Sequence, residues 1–299
     1  MLEIWYNLRL ADKFKCVVLG SFEKINSMRL VLLTLLFPVC LSAQPLKVMT
    51  YNIRYDNPGD GINQWSNRKE KVLDLISKYD PSILGVQEAL LPQLEDITRA
   101  LPEYVFVGVG RDDGKKKGEF SALLYKKGKF EVLEENTFWL SKTPEIPGSK
   151  DWDAAITRVA TWARLRDKDS GDVFLVINTH FDHIGKEARS QSAALLKSKA
   201  EQLAGDLPVI ITGDFNCTRE ETPYQVMMET NGLLLKDSAP ENPQGTFCNF
   251  AVGAMPCRPI DYIFISKHWK TIQYQVIADN DGKNYPSDHL PVMVNLSGQ

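Results

Sequence analysis

The chain has 299 residues, 43% hydrophobic and 24% charged, with 19 Gly and 16 Pro. That balance excludes a disordered chain, a collagen-like fibre and a coiled coil, and five cysteines exclude a disulfide-dense mini-scaffold. A net charge of −3 gives no sign of a protein that holds nucleic acid by bulk attraction, and the length allows one large domain or two small ones.

Residues 28–43 join Arg29 to the apolar run Leu30–Leu41 and end in Leu41-Ser42-Ala43 ahead of Gln44. This layout predicts a secretory signal peptide cleaved after Ala43. The run falls short of the ~20 residues that a membrane span needs. Residues 1–27 then read as an extension from a mis-assigned start, with Met28 as the true start. A retained cytoplasmic segment and a lipoprotein signal at Cys40 are the alternatives, the latter opposed by bulky Phe37-Pro38-Val39. The expected mature chain, residues 44–299, is exported to the periplasm or beyond. The first 43 residues carry five basic and three acidic side chains, so the remainder holds 30 basic and 35 acidic, a net charge of −5. It keeps Cys217, Cys248 and Cys257. Cys248 and Cys257 lie nine apart; a local bridge and free buried thiols are both open.

Strands are predicted at Leu46–Ile53, Ile83–Gln87, Tyr104–Val109, Ser121–Tyr125, Arg158–Leu165, Val173–Asn178, Val209–Thr212, Tyr262–Ile265, Tyr274–Ala278 and Val292–Leu296. Helices are predicted at Ser66–Tyr79, with Ser66 as cap, and at Leu91–Ala100 and Lys186–Leu203. The run Lys115–Lys117 reads as a solvated loop tip, and Arg68 as a helix-face charge or a phosphate contact. Many strands with interspersed helices predict one mixed α/β domain with sheet packed on sheet.

The unusual polar groups sit at strand ends. Asn52 lies in the first strand, and Glu88 follows Ile83–Gln87. His180 follows Phe174–Thr179, and Asp214 and Asn216 follow Val209–Gly213. Asp261 opens Tyr262–Ile265, while Asp288 and His289 precede Leu290–Val294. Any one of these is an ordinary turn residue; six such placements predict a shared pocket. Clustered carboxylates repel unless a cation neutralises them. An oxygen-rich set with few His suits Mg²⁺.

The segments Met-Thr-Tyr-Asn52-Ile, Gly-Val-Gln-Glu88, Asn-Thr-His180, Gly-Asp214-Phe-Asn216, Pro-Ile-Asp261-Tyr-Ile-Phe and Ser-Asp288-His289-Leu-Pro-Val resemble the endonuclease/exonuclease/phosphatase superfamily. The likeness runs over residues 46–297 in that family's order. Phe138-Trp139-Leu140-Ser141, Trp152-Asp153-Ala154-Ala155, Arg158 and Trp162 are similar to a secreted bacterial branch near the deadenylase-like members. The resemblance implies a DNase I-like four-layer α/β sandwich, with two packed mixed sheets flanked by helices. It implies Mg²⁺, with Mn²⁺ as a substitute, held by Glu88, Asn52 and Asp288. It implies that Asp214 positions the attacking water with help from Asn216. Asp261 and His289 form a carboxylate–imidazole pair, and His180 bonds a phosphoryl oxygen. Arg158, Asp182 and His183 would meet the substrate, though Asp182 and His183 are equally placed to cap the helix near Lys186.

His180-Phe181-Asp182-His183 also looks like a zinc-hydrolase motif of the metallo-β-lactamase type, but Asn178 stands where that motif starts with His. Zinc favours three or more N/S ligands, which are scarce here. An exported binding module on the same scaffold is a further alternative.

The expected activity is an exported Mg²⁺-dependent phosphoesterase acting on a small or medium phosphorylated substrate. An exported RNA or DNA phosphodiesterase is the alternative. Partners are a phosphorylated small molecule, lipid or oligonucleotide, without stable nucleic-acid binding and without a membrane span. Trp65, Trp139, Trp152, Phe181, Phe247, Phe250 and Tyr285 are candidates to stack on a base or sugar, or to pack the core.

Overall fold

A computed structural model describes residues 44–299; the leader and extension expected over residues 1–43 lie outside them. In chain order the strands are β1 Leu46–Asn52, β2 Ile83–Ala89, β3 Tyr104–Val107, β4 Phe120–Lys126, β5 Phe130–Trp139, β6 Val159–Asp167, β7 Val173–His180, β8 Val209–Asp214, β9 Leu235–Asp237, β10 Asp261–Ser266, β11 Trp269–Val276 and β12 Val292–Gly298. The helices are α1 Trp65–Tyr79, α2 Leu91–Ala100, α3 Lys186–Ala204 and α4 Thr222–Met228, and Pro58–Asn63 forms a 3₁₀ segment.

Alternation along the strands builds the layers. In β1, Val48 faces the other sheet with Ile83, Val176, Ile210 and Ile263. Its neighbour Met49 faces the opposite way, towards Val72 and Ile76 of α1 and Leu94 of α2. In β8, Ile210 is inside, whereas Val209 and Ile211 pack under Ala193, Leu196 and Ala200 of α3. Burying both faces of both sheets gives four layers. The first sheet has the order β11-β12-β1-β2-β4-β3, the second β5-β6-β7-β8-β10-β9. Both are mixed: β1 runs parallel to β2 but antiparallel to β12, and β7 runs parallel to β8, which is antiparallel to β10. This is the expected four-layer α/β sandwich.

A polar seam joins the sheets under the site. Gln87 Nε2 donates to Asn178 Oδ1 at 2.6 Å and to Thr50 Oγ1 at 3.0 Å. Asn178 Nδ2 donates to the carbonyls of Val86 and Ala122 at 2.8 and 2.9 Å, and Thr212 Oγ1 donates to Asn178 Oδ1 at 3.0 Å. Gly85 makes this approach possible, because a Cβ there would overlap Thr212 and Asn178. Buried, satisfied networks of this kind fix one packing register.

Three elements escape the sequence pattern. β5 exposes Glu131, Glu134 and Glu135 and borders its sheet, so it shows no sustained alternation. α4 has seven residues and β9 three, too short for periodicity. Strand β11 begins at Trp269 rather than at Tyr274. Ser66 lies inside α1 and does not cap it; Asp56 Oδ1 instead accepts from Trp65 N at 3.3 Å. Lys115–Lys117 are exposed, as expected. Arg68 is neither a helix-face charge nor placed for a phosphate. It is buried, and its guanidinium donates to the carbonyls of Ile53, Arg54, Tyr55, Asn63 and Pro286. It thereby ties the segment leaving β1 to the loop before β12.

Candidate active site at the strand ends

Register brings the first group together. His180 stands opposite Asp214 across β7 and β8, and Asp214 opposite Asp261 across β8 and β10. Residues directly opposite on neighbouring strands share a face, so three separate motifs form one row. Asp214 Oδ2 is its hub. It lies 3.3 Å from His180 Nε2 and 3.7 Å from His289 Nε2, and it accepts from Asn52 Nδ2 at 3.0 Å. His289 enters from the loop before β12, with Nδ1 2.9 Å from Asp261 Oδ2. All four side chains retain 5% or less of their exposure.

Burial sets their protonation. It pushes the Asp214 carboxyl up to about 7, assisted by the Asp261 charge. Burial alone would lower His289, but Asp261 and Asp214 outweigh it and hold the imidazole well above its ordinary value. Burial, then Arg158 and Arg111, hold His180 well below its ordinary value, so it is neutral. Asn216 Nδ2 donates to Phe181 O and to His180 Nε2, both at 3.0 Å. His180 Nε2 thus faces both Asn216 Nδ2 and Asp214 Oδ2, while Nδ1 is buried without a protein partner among the described residues.

The second group comes from the other sheet. The register of β2 shifts after Val86, and Glu88 sits at φ 61°. Arg54 (φ 55°) and Asn216 (φ 48°) share this left-handed backbone, which non-glycine residues adopt at a cost. Arg54 clasps Asp60 through two hydrogen bonds at 2.9 and 3.0 Å. Its guanidinium also lies 3.7 Å from Glu88 and 4.0 Å from Asp288. Asn52 links the groups: its Nδ2 also donates to Glu88 Oε1 at 3.0 Å, while its Oδ1 accepts from Arg54 N. Ser287 Oγ donates to Asn52 O at 2.8 Å, docking the Asp288–His289 loop onto β1.

Asp214, Asp261 and His289 each offer one ligand atom within 4.8 Å of the others and could hold a metal. A proton on His289 answers the same charges. The residues expected as metal ligands, Asn52, Glu88 and Asp288, lie beside this group, the two carboxylates sharing Arg54. Both sets are rich in carboxylate oxygen, which suits a hard divalent cation. The zinc alternative finds no support: Asn178 is occupied in the seam between the sheets, and His183 is exposed.

Among the expected substrate residues, Arg158 is buried and donates through Nη2 to His183 Nδ1 at 3.3 Å. Asp182 differs from that expectation. It is 1% exposed and accepts from four backbone amides, those of Ile184, Gly185, Ala155 and Ile156. It shapes the loop before α3 and presents no free oxygen to a substrate. Of the aromatic candidates, Trp65, Trp139, Phe181 and Phe250 are buried, whereas Trp152, Phe247 and Tyr285 are half-buried. Phe247 packs on His289 at 5.0 Å between ring centroids. The adjoining Cys248 is disulfide-bonded to Cys257, and Cys217 is buried and free. Arg54, Arg111 and Glu119 are site residues that sequence reasoning missed. Arg54 could have been suspected two places after Asn52; the others flank the run Lys115–Lys117 that reads as a solvated loop tip.

Two stacked mixed sheets with a buried carboxylate–imidazole row at their strand ends define a phosphoesterase scaffold. Residues 49–289 match the Endonuclease/Exonuclease/phosphatase family model, and the chain belongs to that family. It is 40% identical to an endonuclease/exonuclease/phosphatase from Bacteroides vulgatus, with a TM-score of 0.81 over 85% of this chain and 99% of that one. It is likewise 40% identical to a mannosyl-6-phosphatase from Bacteroides thetaiotaomicron, with a TM-score of 0.79 over 84% of this chain and 99% of that one. Human nocturnin is 26% identical over 85% of this chain and 65% of its own length. The chain spans about half of Drosophila melanogaster Protein angel, 51% of its length, at 26% identity over 59% of this chain. Among the described residues no helix is long and apolar enough to cross a membrane.

Proposed function

We propose that this protein is an exported Mg²⁺-dependent phosphomonoesterase that acts on a small phosphorylated sugar. The observation that carries the hydrolytic chemistry is the convergence of Asn52, His180 and His289 on one oxygen of Asp214. The likeness to a mannosyl-6-phosphatase over nearly that protein's whole length supports the substrate class. The predicted signal peptide supports export.

Asp214, with its carboxyl raised to about 7, accepts a proton from a water molecule as it attacks phosphorus. The water oxygen forms the new bond to phosphorus and the ester P–O bond breaks; the leaving alkoxide takes a proton from solvent water, and Asp214 returns its proton to solvent as phosphate departs. His289, kept charged by Asp261, donates a hydrogen bond to the phosphoryl group and stabilises its developing charge. Neutral His180 sets its Nε2 against the Asp214 carboxyl, and Asn216 fixes the ring. Glu88 and Asp288, assisted by Asn52, would hold Mg²⁺, which supplies Lewis-acid polarisation of the phosphoryl oxygens.

Purified residues 44–299, assayed with Mg²⁺ against mannose 6-phosphate, other sugar phosphates, inositol phosphates, sphingomyelin, RNA and DNA, test this. The proposal expects phosphate release from sugar monoesters and its loss on chelation. Preferred cleavage of RNA or DNA would overturn it in favour of a nuclease.

A further inference from the structure

The loop between β3 and β4 is built more firmly than a solvated tip requires. Gly110 N donates to Lys115 O, Asp112 N to Lys117 O, and Arg111 N to Glu119 O, each at 3.1 Å. Asp113 Oδ1 accepts from the amides of Lys115, Lys116 and Lys117 at 2.8–2.9 Å. Trp139 Nε1, from the other sheet, donates to Arg111 O at 2.7 Å. The loop therefore turns its lysines to solvent and holds Arg111 and Glu119 together at its base.

Glu119 Oε2 accepts from Arg111 Nη1 at 2.6 Å and lies 3.9 Å from Arg158 Nη1. One carboxylate oxygen thus faces two guanidiniums. Arg158 is 6% exposed, yet among the described residues its side chain makes one hydrogen bond, to His183. The Nε of Arg158 and that of Arg111 are both buried without a partner. A buried guanidinium with unmet donors is unfavourable, and its planar fork matches phosphoryl oxygens. The pair borders the reacting row: Arg158 immediately precedes β6, whose Ala160 stands opposite Thr179 beside His180, and its guanidinium bonds His183.

We propose that Arg111 and Arg158, set by Glu119, cradle the phosphoryl oxygens that a monoester leaves free and a diester esterifies, so that the site selects phosphomonoesters. The proposal rests on the phosphoester-hydrolase reading. Above about pH 6 a monoester carries nearly two negative charges, whereas a diester carries one. A diester also places an ester carbon where the fork would bond. Arg111 is thus a specificity-determining residue, and Glu119 positions both arginines.

The test compares wild type with Arg111→Gln, Arg111→Lys and Glu119→Gln on p-nitrophenyl phosphate and bis(p-nitrophenyl) phosphate, with Mg²⁺. Arg111→Gln is expected to lower the monoester-to-diester ratio of kcat/KM at least tenfold. Arg111→Lys, which keeps charge but loses the fork, should fall between, and Glu119→Gln should lower the ratio less than Arg111→Gln. In parallel, inorganic phosphate is titrated into chelated protein and followed by ³¹P line broadening, where Arg111→Gln should weaken binding at least tenfold. Unchanged phosphate binding, or equal loss on both esters with an unchanged Tm, overturns the cradle. If wild type hydrolyses neither ester, the hydrolase reading fails, and the phosphate titration still decides on the cradle.

Discussion

Glu88 and Asp288 retain 14% and 12% of their side-chain exposure and face a guanidinium, that of Arg54. His180, Asp214, Asp261 and His289 retain 5% or less and face one another. Around Glu88 and Asp288 the Arg54 guanidinium balances the carboxylates, although burial also raises Asp288 above its ordinary value. Where water is excluded, the groups adjust their own protonation, and so Asp214 rises while His289 stays charged. In the proposed mechanism one half binds the cation and the other moves the proton. Asn52, donating to both Glu88 and Asp214, keeps them in register.

The largest expected effect separates the halves by their response to metal. His289→Ala should lower kcat by roughly 10²–10⁴-fold, with no recovery on raising Mg²⁺. Glu88→Gln should also lose most activity at low Mg²⁺ but regain part of it as Mg²⁺ is raised. A Mg²⁺ titration of both variants checks this, and equal recovery in both would break the distinction.

A smaller effect concerns stability. Asp214 is raised in the folded state to about 7 from an ordinary value of 3.8. The folded protein therefore binds the Asp214 proton more tightly than the unfolded chain does. That contribution to stability is complete below the unfolded value and disappears as pH rises through about 7. At pH 8 the ionised buried carboxylate costs on the order of a few kcal/mol. Asp214→Asn should accordingly abolish activity yet raise the Tm of chelated protein at pH 8. The gain should shrink towards pH 4. A constant gain at every pH would show that the dry half is not tuned by burial.

The smallest effect tests the seam beneath both halves. Gly85→Ala should destabilise by about 1–3 kcal/mol through overpacking against Thr212 and Asn178, with activity reduced because the sheets shift apart. Urea unfolding beside kcat measures both. A destabilised variant of full activity would show that the halves tolerate independent movement.

Much of this was legible in the residues themselves. Short continuous apolar runs located the main strands because burial on both faces demands them, and acids, amides and imidazoles stood out where such runs end. Asn52, Glu88, His180, Asp214, Asp261 and His289 were all found that way. Arg68 was not, since nothing local tells a buried guanidinium bonded to five carbonyls from a solvated one. Nor was strand β5, whose exposed glutamates hide its pairing with β6.

The chain's own chemistry therefore determined which layers form and which side chains lie at the strand ends, since both follow from short-range periodicity. Tertiary structure decided what those side chains become. The row His180–Asp214–Asp261 exists through strand register, and the raised Asp214 carboxyl through exclusion of water. The pairing of Arg111 with Arg158 across Glu119 depends on contacts between segments some 40 residues apart. Register, dehydration and long-range pairing are properties of the packed chain, and no local window of residues contains them.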